Sequence, residues 1–168
     1  MKNYLTCLLL LTVVAFLSCD RQEEVVEKFD TSTFIDKADD LHYVIIKMQT
    51  IPGIDRQDTT AMKAIKAGEL KQQIDTWNAK DPGTKLRTSQ IYFDEETGVE
   101  PIFTIRRFND YNEAKQYSEK LSAQVKAMDG SAKIAAILPI SQTNYRVCIK
   151  QKSSKAYQYY HDKIITID

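Results

Sequence analysis

Two histidines and three cysteines carry most of the reactive chemistry that this 168-residue sequence offers. Cys148 stands alone as a thiol. As a nucleophile it needs a neighbouring base, and His161 in the tail is the candidate. Burial as a small apolar side chain is the stronger reading. His42 opens an apolar run and His161 sits among Tyr157, Tyr159 and Tyr160, so both read as structural histidines. No His-x-x-x-His or paired-cysteine spacing supports a metal site. Ser118 and Ser141 lack the glycines of a nucleophile elbow, and no Gly-rich phosphate loop occurs. Asp94-Glu95-Glu96 reads as a solvated hairpin tip rather than a cation site. These residues predict a protein with no cofactor and no catalytic set. The better candidates are surfaces. Arg106 and Arg107, with Lys85 and Arg87, form a basic strip if their strands are neighbours. Tyr157 and Tyr160 share the core-facing side of a docked helix. Tyr159 then falls on another side and, with His161, supplies an exposed aromatic patch of the kind enriched at binding hot spots.

The start of the chain bears on compartment. Lys2 gives a short positive region, and Leu5 to Leu17 is an apolar run too short to anchor in a bilayer. Phe16-Leu17-Ser18-Cys19 ends it. Residues 1–18 therefore read as a signal peptide, and the site resembles the lipobox of bacterial lipoproteins, with Phe16 where Leu is usual. The resemblance implies cleavage before Cys19 and acylation of that cysteine with chains such as palmitate. Several chains on one residue give firm attachment. Cleavage leaves about 150 residues, enough for one domain with a core. Lysine plus arginine and aspartate plus glutamate both number 23, so no basic excess points to nucleic acid. Cys7 leaves with the signal and Cys19 carries lipid, so Cys148 has no partner for an internal disulfide.

Residues 19–40 are polar and acidic, from Asp20, Glu23 and Glu24 to Asp39 and Asp40, and read as a flexible tether. The acidic start resembles, in part, the surface-export signal of Bacteroidota lipoproteins. Residues 41–168 form a single domain. Leu41 to Met48 is a β-branched run suited to a central strand, broken at Ile51-Pro52-Gly53. A helix follows from a cap at Thr59 or Thr60, with Met62, Ile65, Leu70, Ile74 and Trp77 on one stripe, and stops at Asp81-Pro82-Gly83. Leu86 to Phe93 and Val99 to Phe108 pair through a turn at Glu96-Thr97-Gly98, and Pro101 predicts an edge or a bulge. Asn109 or Asp110 caps a second helix to Met128, ended by Asp129-Gly130, and Ala132 to Ile140 is the fourth strand. The order is βαββαβ, an α+β, ferredoxin-like arrangement: a four-stranded antiparallel sheet with two helices on one face and extra C-terminal helix. The tail from Ser141 fits either a strand or a Ser141-capped helix, and the helix is preferred. A last helix over Ser154 to Ile164 follows.

Several pieces resemble the C-terminal domain of Bacteroidota tetratricopeptide lipoproteins linked to gliding motility and type IX secretion. They are His42-Tyr43-Val44-Ile45-Ile46, Leu70-Lys71, Phe103 to Phe108 followed by Asn112-Glu113-Ala114, and Ile140-Ser141 with Asn144-Tyr145, then Tyr157 and Tyr160. Order and spacing carry the match. The family's helical repeats are not found ahead of the domain here. Phe108 to Leu121 also resembles SPOR domains, which bind denuded glycan of the cell wall. The resemblances imply an outer-membrane lipoprotein of the cell envelope with a protein partner, or else a peptidoglycan binder.

Overall fold

The computed structural model describes residues 29–35, 37, 40–54, 57–58, 67–80, 86–128 and 133–165. The signal peptide, Cys19, the tether up to residue 28, the cap at Thr59 or Thr60, Met62, Ile65, Lys85, Asp81-Pro82-Gly83 and Asp129-Gly130 lie outside them.

The strands are β1 (His42–Met48), β2 (Ile51–Pro52), β3 (Arg87–Glu95), β4 (Gly98–Phe108) and β5 (Ile134–Ser141). The helices are α1 (Ala67–Asn78), α2 (Tyr111–Val125), α3 (Gln142–Gln151) and α4 (Lys155–Tyr160), which runs into a π-helical turn, His161–Ile165. The sheet is antiparallel. β4 and β5 flank β1, β3 pairs the far side of β4, and short β2 also pairs β4. Because β2 takes up the ladder along β4 where β1 leaves it, the long strands lie in the order β3-β4-β1-β5. That is the ferredoxin-like order expected from the sequence.

Pro101 explains the break between β1 and β2. β1 pairs with β4 down to Lys47↔Ile102, and β2 resumes at Ile51↔Val99. Pro101 has no N–H to give a ladder, and it sits in the gap. At Pro101 itself β4 pairs only with β3, so the edge expected there is a local one, a break in one ladder of a strand that is otherwise flanked on both sides. The hairpin turns on Glu96-Thr97, with Glu95 opposite Gly98. A Cβ on Gly98 would lie 1.9 Å from the Ile51 carbonyl oxygen. Only glycine allows this backbone approach, so Gly98→Ala lowers stability by about 2 kcal/mol or more. A urea midpoint within error of the parent would contradict this.

Both faces of the sheet are buried. On one, Val44, Ile46, Phe103 and Ile105 meet Leu70 and Ile74 of α1 and Ala114, Leu121 and Val125 of α2. Helix α2 begins with reciprocal capping: Asp110 Oδ1 accepts from the Glu113 N–H at 2.8 Å, and Glu113 Oε2 accepts from the Asn109 N–H at 2.9 Å. On the other face, Tyr43, Ile45, Ile102 and Ile140 meet Cys148 of α3 and Tyr157 and Tyr160 of α4. The tail is helical, as preferred from sequence, and Ser141 caps α3 by accepting from the Asn144 N–H at 3.1 Å. Alternation along β1 sends Tyr43 and Ile45 to one core and Val44 and Ile46 to the other.

The packed chain also begins before Leu41. Phe34 is buried, with its ring 5.4 Å from that of Tyr157 and 5.5 Å from that of Tyr160. The Ile35 N–H donates to Asn144 Oδ1 at 3.0 Å. Residues 29–35, read from composition as tether, therefore lie against the domain. Two aromatic contacts outweigh the acidic composition around them.

Candidate functional site

The residues singled out for a binding surface fall in three places. Arg106 and Arg87 are direct partners across β4 and β3. Arg106 Nη2 reaches Ser89 Oγ at 3.4 Å. Arg106 also pairs with Tyr43 of β1, so it lies on the face covered by α3. There Tyr43 and Tyr145 rings stand 5.3 Å apart, and the Gln142 amide donates to the Tyr43 hydroxyl at 2.6 Å. Arg107 is exposed where the β1–β4 register shifts, between Tyr43↔Arg106 and His42↔Phe108. The bulge separates it from Arg106 in the ladder. Two guanidiniums at opposed positions repel, and this pair costs the sheet a few tenths of a kcal/mol.

Tyr159 is not the free aromatic that its helix position suggested. It is half-buried, with its ring 5.8 Å from that of Phe29. Tyr157 and Tyr160 are core, as read from their spacing. His161 has its ring 6.3 Å from that of Tyr157 and lines an open groove of about 570 Å³ between α2 and β5, away from the arginines. Lys115 and Lys126 of α2 and Ile137 and Pro139 of β5 also line that groove. Two of its hydroxyls are taken up by the helix: Ser118 Oγ donates to the Lys115 carbonyl and Ser122 Oγ to the Ser118 carbonyl, both at 2.7 Å. His42 is buried and its Nδ1 lies 2.9 Å from the Asp40 carbonyl, a structural role.

A buried polar cluster under α4 had no signal in the sequence. Lys47 Nζ lies 3.3 Å from Glu100 Oε1 and donates to Gln158 Oε1 at 2.8 Å. Ser154 Oγ donates to Glu100 Oε2 at 2.9 Å. Burial pushes the Glu100 carboxyl above its ordinary range, against the pull of Lys47 and the Ser154 bond. Next to it, Glu95 is nearly buried and bridges Lys155 at 2.5 Å. The hairpin carboxylate expected in solvent thus holds the first residue of α4. Every oxygen of Glu100 is engaged, which suits a clamp rather than a proton-transfer site.

Cys148 is buried in the same core, and burial pushes its thiol up to about 12. It keeps its proton at neutral pH and is a poor nucleophile there. Cys148 accordingly gives no reaction with a disulfide reagent at pH 8 in the folded protein and reacts once urea unfolds it. Fast labelling of Cys148 in the folded state would overturn this. Among the described residues, no group of three or more His, Cys, Asp or Glu gathers as a metal site, and no helix is long and apolar enough to cross a membrane. The chain matches no family model, no curated protein and no solved structure.

Proposed function

We propose that this is a non-enzymatic lipoprotein of the bacterial envelope. It is held to the outer membrane through acylated Cys19 and acts as a protein-interaction module. By resemblance, it serves as an accessory of type IX secretion or gliding. The observation that carries the interaction reading is the Arg87–Arg106 pair. A sheet that sets like charges opposite each other is less stable for it, and a carboxylate from a partner relieves the repulsion. The partner chemistry that fits is an acidic segment of an envelope protein. The buried second face counts against the SPOR-like alternative. Helices α3 and α4 pack on that face, so it presents no open sheet on which an elongated chain could be laid.

Crosslinking in intact cells tests the reading. Carboxyl-to-amine chemistry does not capture arginine, so an arginine-directed dicarbonyl crosslinker is the reagent. A discrete partner adduct is expected, reduced at least tenfold in Arg87→Glu/Arg106→Glu. The same protein, recovered from membranes, carries the mass of the chain from Cys19 plus acyl groups. An unchanged adduct in the variant removes the arginine corner from the interface. An unmodified mass in the soluble fraction removes the lipid anchor.

A further inference from the structure

The segment from Phe29 to Ile35 sets how far the domain stands from its point of attachment. Ten peptide units separate Cys19 from Phe29 in the sequence. Fully extended they span at most about 35 Å. A domain of this size is about 35 Å across. If the chain were free up to Leu41, the tether would be about twice as long and would reach roughly 75 Å, enough for the domain to turn in any direction. Phe34 prevents this by lying between Tyr157 and Tyr160.

We propose that Phe29–Ile35 is a strap that holds one side of the domain on the phospholipid surface. On that side Phe29, Ile35 and Tyr159 meet the headgroups, and helix α1, on the opposite face of the sheet, does not. The inference rests on attachment at Cys19, as in the proposed function. The side chains suit an interface. Ile35 is 44% exposed, one of two large hydrophobic residues so exposed among those described, and Phe29 and Tyr159 keep part of their rings in solvent. Aromatic and aliphatic groups of this kind settle at headgroup level. Charge contributes little. Exposed Lys37 and Lys163 are balanced by exposed Asp30 and Asp162. The contact therefore comes from tether length and apolar surface, and it persists at high salt.

The chain from Cys19 to Asp168 can be coupled through the Cys19 thiol to maleimide-headgroup lipid in phosphatidylcholine vesicles containing nitroxide-headgroup lipid. Buried Cys148 does not compete for the maleimide. Two tryptophan reporters are compared: native Trp77 on α1, and Trp77→Phe/Tyr159→Trp. Quenching several-fold stronger at position 159 than at Trp77, unchanged at 0.5 M salt, is the expected result. Adding Phe34→Ala, or inserting twenty Gly/Ser residues after Glu24, brings the two reporters together. The insertion leaves the fold untouched, so a poorly folded Phe34 variant does not blunt the test. Equal quenching of both reporters in the parent protein overturns the strap. Because the coupling is chemical, that outcome is separate from loss of the lipid reading, which intact mass from native membranes decides.

Discussion

Lys47→Met alone removes about 3 kcal/mol of folding stability at neutral pH, while Lys47→Met/Glu100→Leu removes much less. The two charges lie 3.3 Å apart and each side chain is less than a tenth exposed. Removing one leaves the other buried and unpaired, typically at a cost of about 3–5 kcal/mol, whereas replacing both by apolar groups of similar size is often neutral. The effect depends on pH with a definite sign. The Glu100 carboxyl titrates above its ordinary range in the folded protein. Its contribution is therefore fully present below the unfolded glutamate pKa and is lost as pH rises through the higher folded value. Without Lys47 that folded value climbs further. The single variant thus shows its largest deficit at pH 8 and a smaller one at pH 5, and Glu100→Gln in the same background flattens the difference. Urea unfolding at the two pH values measures all of this. Equal deficits in the single and double variants would mean that the pair is not coupled.

Tyr157→Ala lowers stability by about 4 kcal/mol, and Tyr157→Phe by about 1–2 kcal/mol. Tyr157 is 1% exposed, and its hydroxyl donates to the Pro139 carbonyl at 2.7 Å. Pro139 lies on β5, an outer strand of the sheet. The bond ties α4 to that strand, and the phenylalanine variant leaves the buried carbonyl without this donor. The alanine variant also opens a cavity beneath Phe34, Tyr160 and His161, which all stack around the ring. Limited proteolysis separates the consequences. Cleavage near Phe29–Ile35 accelerates in Tyr157→Ala before global unfolding, because Phe34 has lost its partner. Protease resistance equal to that of the parent would show that the N-terminal segment is held by something else.

These outcomes concern residues that the sequence marked unequally. Tyr157 and Tyr160 were legible as the inner face of a helix, because a spacing of three puts side chains on one side of a helical turn. Nothing local marked Phe34, which sits in an acidic stretch more than a hundred residues from its aromatic partners. Nothing in the sequence singled out Lys47 or Glu100. They became a buried pair only because α4 crosses the sheet above them. The candidate surface was half legible. Arg87 and Arg106 did become neighbours, since hairpin register follows from the turn. Arg107, Tyr159 and His161 were dispersed by a bulge, by Phe29 and by the π-helical turn.

The sequence by itself determined the order of the four long strands and the two helices between them, and the turn at Glu96-Thr97-Gly98; it narrowed the cap of α2 to Asn109 or Asp110 and offered Ser141 as the cap of a tail helix. Each depends on side chains within a few positions of one another: hydrophobic period, cap chemistry and glycine or proline at a fixed offset. The tertiary structure alone decided which face of the sheet the C-terminal helices cover, that the chain before Leu41 packs, and that Lys47 meets Glu100. Those features depend on contacts between residues far apart in the chain. Local periodicity says that a residue is buried, but not against what.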